Sequence, residues 1–372
     1  MSLFWLPVLA YALAALVAFV ALRRRDAPPD VPDDRLPAVT VVVAARDEAA
    51  TVAACLGALL AQRYPAGRLD VILADDGSAD ATGGIAREIA AGSGGRMRVL
   101  DVPEAPSGAP EVPFAALTGK ACALAFAIPH AAGEVLLFTD ADCVPPPGWA
   151  RALAAPFAAD ARLGALGGPA FVHPRPRFAA AQTLDLALGT AIGAGASALG
   201  WAASAMGNNL AVRRSAYDEA GGFARVGASV TEDHALFRAV AALSGYDARL
   251  ALRPDLVTVT RAVPTFGALL RQRQRWAAGG LGGGPAVWTL YGLVFTAHLA
   301  ALVAAATGAW APLGLKVAAD VLVLARAQQG VGRRLPWGAF GLFEIVLFAY
   351  VLATPLALLR PVTWKARRYA RR

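Results

Sequence analysis

The sequence predicts an α/β fold, a mostly parallel sheet with helices on both faces, joined to apolar membrane segments at both ends. Three observations predict it. Short β-branched runs alternate with segments of helical period through the first half of the chain. Each run is followed by acidic residues, at the place where a doubly wound sheet presents its ligand groups. Long uncharged stretches stand near both termini, and 57% hydrophobic against 17% charged residues in 372 is more apolar than one globular core requires.

Taken in order, Leu3 to Leu22 is an uncharged run of about 20 residues, enough to cross a hydrocarbon core as a helix. Arg23, Arg24 and Arg25 follow it, so the positive-inside tendency places the next domain in the cytoplasm. A secretory signal peptide would carry its charge before the apolar run, and Met1 to Phe4 carries none. Asp26 to Pro37 is rich in proline and aspartate and reads as a linker. Val39–Ala44, Val71–Ala74 and Val135–Thr139 are the expected strands, with helices over Glu48–Gln62 and Ala79–Ala91. Asp101 to Thr118, with several prolines and no period, reads as a loop beside the site. Ala179 to Ala203 is apolar but broken by Asp185 and many small residues, which suggests an amphipathic or interfacial helix rather than a span.

The last third holds apolar runs at Pro285–Ala306, Leu313–Ala325 and Ala339–Leu359, with Lys316, Asp320 and Glu344 interrupting the last two. Three spans here would put the basic tail with Lys365, Arg367, Arg368, Arg371 and Arg372 outside, against the positive-inside tendency. One run is therefore expected to be re-entrant or interfacial. The organisation expected is an anchor over 1–25, a linker over 26–37, a catalytic domain over 38–280 and a membrane region over 281–372, in a multi-pass protein of the cell membrane.

The net charge of +8 could suit nucleic acid, but the arginines cluster beside apolar runs, where they meet anionic head groups; a membrane partner and no nucleic acid is the reading. Cys55, Cys122 and Cys143 have neither paired metal-ligand spacing nor an even count, so no disulfide framework or zinc site is indicated. His130, His173, His234 and His298 are scattered, and no serine elbow is present.

The residues that carry chemistry follow the strands. Glu48 lies in the loop after the first, and Asp75 and Asp76, with Gly77 and Ser78, in the loop after the second. Carboxylates there can accept from a ribose hydroxyl or a base nitrogen, or they can cap the next helix. The third strand ends in Asp140 and Asp142, which point to one side of an extended chain and repel each other unless a cation sits between them. Mg2+ or Mn2+ would bridge them to a diphosphate. Glu232 and Asp233 open a helical segment, either as its N-terminal charges or as the catalytic pair, with Asp233 the base that takes the proton of an acceptor hydroxyl. Arg275 suits phosphate oxygens and Trp276 a sugar face, although both also fit a juxtamembrane anchor. Lys120 can add positive charge near a diphosphate or be a solvated lysine at a helix start.

The order of these motifs resembles the family 2 glycosyltransferases with a GT-A, Rossmann-like fold, over Pro37 to Trp276. Ala44–Glu48 is similar to the family's Pro-Ala-x-Asn-Glu loop, with alanine for proline and Asp47 for asparagine, and Asp75–Asp80 matches Asp-Asp-Gly-Ser-x-Asp. Asp140 and Asp142 fall on its metal and diphosphate motif, Asp233 on the base of Thr-Glu-Asp, and Gln272, Arg275 and Trp276 on Gln-x-x-Arg-Trp. Gly207, Asn208 and Asn209 resemble its acceptor-side segment. Thr118–Lys120 and Trp364–Tyr369 resemble branches acting on hydrophobic acceptors, namely the carotenoid-glycosylating, hopanoid-associated and ceramide glucosyltransferase-like ones. The resemblance implies an inverting single displacement, a nucleotide-sugar donor with uridine diphosphate sugars foremost, and a lipid acceptor at the cytoplasmic face. A processive polysaccharide synthase and a non-catalytic nucleotide-sugar or lipid-binding membrane protein are the competing readings; the second would lack a base or metal carboxylate, and none is missing.

Overall fold

The computed structural model describes residues 2–22, 28–103, 117, 119–202, 205–227, 229, 231–364 and 367–369. The Arg23–Arg25 run, Thr118 and most of the expected loop before it lie outside the described residues. The chain divides into two units: Asp26–Ala170 with Ala205–Arg261, and Met1–Arg25 with Phe171–Ser204 and Ala262–Arg372. Within the expected 38–280 segment, residues 171–204 and 262–280 therefore cluster with the apolar helices.

The first unit is built on a seven-stranded sheet of β1 (Val39–Ala45), β2 (Leu69–Asp75), β3 (Met97–Asp101), β4 (Val135–Asp140), β5 (Leu163–Gly167), β7 (Leu210–Arg213) and β8 (Asp247–Leu250), in the order β3-β2-β1-β4-β7-β5-β8. β6 (Ala170–Val172) and β9 (Thr258–Thr260) are not part of it. All pairings are parallel except those of β7, which runs antiparallel to β4 and β5. β1 is central, with Val39 opposite both Leu69 and Val135, and its valines are buried on both faces; a strand so covered must read as a continuous apolar run. Cys55, Leu56 and Leu59 of α2 (Val52–Leu60) and Trp149 and Leu153 of α5 (Trp149–Ala159) fill the core, while α3 (Thr82–Ala91) and α4 (Lys120–Ala127) complete the wrapping begun by the βα alternation. Short helices α7 (Arg214–Glu219) and α8 (Gly222–Val226) lead to α9 (Glu232–Ala241).

The second unit is helical: α1 (Ser2–Ala21), α6 (Arg177–Ala198), α10 (Phe266–Leu281), α11 (Pro285–Ala306), α12 (Ala311–Val331) and α13 (Phe340–Ala357), followed by a hairpin of β10 (Val362–Trp364) and β11 (Arg367–Tyr369). Phe4–Ala21, Pro285–Ala306 and Trp337–Ala357 are long and apolar enough to cross a membrane; α12, the helix of the Leu313–Ala325 run, does not qualify because of its charges. Those charges are paired: Lys316 Nζ lies 2.7 Å from Asp320 Oδ2 and 2.5 Å from Glu344 Oε2, and the Tyr11 hydroxyl donates to Asp320 Oδ1 at 2.5 Å. The amphipathic helix expected at Ala179–Ala203 is instead buried continuously from Ala179 to Leu188. Small residues explain this, because they let neighbouring backbones approach: a Cβ on Gly195 would stand 2.9 Å from Ala18 Cα.

Candidate active site

The carboxyl ends of β1, β2 and β4 lie side by side, Ala45 opposite Asp75 and Ala44 opposite Asp140, so the three acidic loops converge by register alone. The first two lock together. Asp47, at φ 52°, accepts from the Ala79 N–H at 2.8 Å, and its own N–H donates to Ser78 Oγ at 3.1 Å. The Glu48 N–H donates to Thr82 Oγ1 at 2.7 Å, and Thr51 Oγ1 donates to the Glu48 carboxylate at 2.9 Å. Asp75 Oδ1 takes both the N–H and the hydroxyl of Ser78, at 3.0 and 2.6 Å, and Arg46 Nη1 lies 3.8 Å from Asp76 Oδ2. Neither α2 nor α3 has a side-chain cap, so Glu48, Asp75 and Asp76 are not consumed as helix caps; Asp80 is the loop's local acceptor, held below the usual carboxylate range by the Thr82 hydroxyl.

At the end of β4, one oxygen each of Asp140 and Asp142 and the Cys143 sulfur lie within 4.8 Å of one another. Burial pushes the Cys143 thiol well up, and Asp140 and Asp142 add to the effect, while Asp140 and Asp142 offer two hard oxygens. Burial likewise raises Asp142 to about 6, with the charges of Asp140 and Glu48 contributing. The two carboxylates fit an oxygen-loving divalent ion. Thr260 Oγ1 donates to Asp142 at 3.3 Å.

Lys120, at the start of α4, places Nζ 2.5 Å from Asp140 Oδ1 and 3.4 Å from Glu232 Oε1. Burial alone would push this ammonium down, but Asp140, Glu232 and Asp233 outweigh it and hold it above its usual value. Glu232 is buried at the first turn of α9, beside Asp233. Asp233 accepts from the Gly207 N–H at 2.5 Å and from its neighbour His234 at 2.8 Å. Gly207 is glycine for closeness, since a Cβ there would stand 2.6 Å from the Asp233 Cβ. Two polar atoms flanking this contact, Asn208 Oδ1 and Thr231 Oγ1, are buried without a hydrogen-bond partner among the described residues, as atoms kept for a ligand would be.

The structure thus gathers Glu48, Asp75, Asp76, Lys120, Asp140, Asp142, Gly207, Asn208, Glu232 and Asp233 in one unit. Asn209 departs from expectation: it accepts from the Trp149 indole at 2.8 Å and donates to the carbonyls of Pro169 and Leu256 at 2.8 and 2.6 Å, a bracket inside the core. Gln272, Arg275 and Trp276 lie on α10, in the helical unit. Sequence reasoning missed Thr82 and Thr260, whose partners are 34 and 118 residues away and leave no local signal. It also passed over Arg46, for which adjacency to the first acidic loop was a usable signal.

Carboxylates converge at the carboxyl ends of adjacent strands of a mostly parallel sheet, beside a lysine and a fixed aspartate, which is where open α/β sheets present their ligand groups. Residues 37–279 match the family described as glycosyltransferase like family 2, and the chain belongs to that family. A mannosyltransferase from Pyrobaculum calidifontis, solved with GDP-Man and Mn2+, shares the fold with a TM-score of 0.60 and 22% identity over 96% of this chain and 98% of that one. The chain is 29% identical to a beta-monoglucosyldiacylglycerol synthase of Trichormus variabilis over 66% of its own length and 49% of that protein. It is 30% identical to the glycosyltransferase AglE of Haloferax volcanii over 31% of its own length and 33% of the relative. The chain thus spans half or less of the length of these curated relatives.

Proposed function

We propose that the chain is an inverting, metal-dependent glycosyltransferase that moves a sugar from a nucleoside diphosphate sugar, of the uridine class first, to the hydroxyl of a lipid-like acceptor at the cytoplasmic face of the membrane. The observation that carries it is the pairing of Asp140 and Asp142 at the end of β4 with an Asp233 carboxylate fixed by the Gly207 N–H. Asp140 and Asp142 would hold Mg2+ or Mn2+, which supplies charge neutralisation for a departing diphosphate. Lys120 adds a second positive charge at the same carboxylate and at Glu232. Glu48, Asp75 and Asp76 accept from the donor's nucleoside, and Gln272, Arg275 and Trp276 serve the donor's phosphate and sugar. Asp233 takes the proton of the acceptor hydroxyl as that oxygen attacks the anomeric carbon; its two backbone donors set the carboxylate's orientation.

Support for a lipid acceptor comes from the diacylglycerol-linked name of the Trichormus relative and from the three apolar helices. Guanosine diphosphate mannose in the Pyrobaculum neighbour makes guanosine donors the first alternative to test. With Phe4–Ala21, Pro285–Ala306 and Trp337–Ala357 as the spans, the basic tail returns to the cytoplasmic side with Arg23–Arg25.

The test is donor turnover by the detergent-purified protein with a panel of uridine and guanosine diphosphate sugars in total lipid extract. Metal-dependent release of nucleoside diphosphate, a product that partitions with lipid, and loss of both with chelator, Asp142→Asn or Asp233→Asn are expected. Full activity of both variants refutes the site; a high-molecular-weight product refutes single transfer; donor binding without turnover refutes the enzymatic reading.

A further inference from the structure

Asp185 stands in the middle of α6, 8% exposed, and is the helix's one charged residue after Arg177. A carboxylate there is costly unless paired. Both its oxygens are engaged, each from a different helix. Arg273 of α10, itself 7% exposed, donates to Asp185 Oδ2 from Nε at 3.0 Å and also from Nη2. The Tyr350 hydroxyl of α13 donates to Asp185 Oδ1 at 2.6 Å.

The rest of the Arg273 guanidinium faces its own helix. Nη1 donates to Gln272 Oε1 at 2.8 Å, and Cζ stands 4.1 Å over the Trp276 ring. The next residue, Gln274, donates to the carbonyls of Ala357 and Arg360 at 2.7 and 3.1 Å, tying the same turn of α10 to the end of α13. One buried arginine therefore touches two of the three α10 residues assigned to the donor, and its own orientation is set by a carboxylate 88 residues away.

We propose that Asp185 is a positioning residue for the reaction: through Arg273 it fixes the side chains of Gln272 and Trp276, and Tyr350 fixes Asp185. This rests on the reading of Gln272 and Trp276 as donor contacts. Stability alone is a poor reason for the arrangement, because a buried ion pair is commonly matched or exceeded by apolar residues of similar volume. What an apolar substitute cannot supply is a planar group that donates fixed hydrogen bonds to a carboxylate from one edge, to a glutamine from another, and stacks on an indole.

The test is a cycle on the full-length protein in detergent, with kcat and donor KM measured alongside the thermal unfolding midpoint. Asp185→Asn should raise donor KM about tenfold with kcat little changed, and Tyr350→Phe, which removes one hydroxyl, about threefold. In a Gln272→Ala, Trp276→Ala background, adding either variant should change the remaining KM by less than about twofold, since nothing is left to position. Equal effects in both backgrounds, or an unchanged KM in folded single variants, overturn the proposal and leave the glycosyltransferase reading intact. If Asp185→Asn does not fold, the Tyr350→Phe arm decides alone. Wild-type protein that neither turns over nor binds any donor overturns both readings.

Discussion

Gly207→Ala is a small perturbation with a large expected effect. The added Cβ would stand 2.6 Å from the Asp233 Cβ and 2.7 Å from its Cγ, where ordinary contact begins at 3.4 Å. Asp233 must therefore retreat by at least the difference, 0.8 Å, because its Oδ2 stands nearer still, or the Gly207 backbone must do so; either way the 2.5 Å N–H to carboxylate bond is lost or stretched. A hydrogen bond to a charged group contributes about 1.5–3 kcal/mol, and a reacting group misplaced by about 1 Å costs on the order of 100-fold in rate. Transfer should thus fall about 10- to 100-fold in kcat while nucleoside diphosphate binding is retained. Gly57→Ala is the control: it lies in α2 with nothing within 4 Å of the new Cβ and should be stabilising by about 0.5–1 kcal/mol with activity unchanged. The assay is donor turnover for both variants, with titration of the nucleoside diphosphate. A Gly207→Ala protein with wild-type kcat would show that Asp233 need not sit where it does, and the assignment of the base would fall.

Two further outcomes follow from pairs the structure makes. Lys120→Met removes the ammonium that competes at Asp140, so Mn2+ should bind about tenfold tighter in the absence of donor while donor KM rises by a similar factor; parallel weakening of both, read by titration and kinetics, would count against the shared position. Lys316→Met leaves the buried Asp320 and Glu344 without their cation and should cost about 3–5 kcal/mol of stability, seen as a lowered unfolding midpoint in detergent; adding Asp320→Asn and Glu344→Gln should restore most of it, and an unshifted single variant would refute the network.

Strands β1, β2 and β4 were legible because parallel strands buried on both faces must be continuous β-branched runs, and the sheet register then brings the acidic loops that follow them side by side. β5 and β8 left no such trace. Leu163–Gly167 is interrupted by glycine, and Asp247–Leu250 lies at the sheet edge, where polar residues are tolerated. The site follows the same division. Asp140 and Asp142 are neighbours in sequence and could be read as a pair, whereas the Lys120 bridge to Glu232 spans 112 positions and required the fold. Asn209 was placed on the acceptor side by resemblance alone, yet its amide is consumed by Trp149, Pro169 and Leu256, while Asn208 next to it keeps a buried oxygen without a partner among the described residues.

Charges inside apolar segments expose why the helical unit was harder to read than the sheet. Hydropathy counts each one as a penalty, so α12 loses its standing as a span, and Asp185, with the small residues around it, makes α6 read as an amphipathic or interfacial helix. Physically the penalty belongs to the unpaired charge, and every such residue here has a partner. Lys316 and Asp320 are four apart on one helix, a spacing visible in the sequence, and their pair carries no net charge. Glu344 and Asp185 find theirs 28 and 88 residues away, on other helices, which no local window can register. A charged residue in an apolar run is therefore evidence about its unseen partner before it is evidence about depth. Where that partner is Arg273, with the rest of its guanidinium committed to Gln272 and Trp276, the charge that argued against a span becomes the reason to test α6 for a part in the reaction.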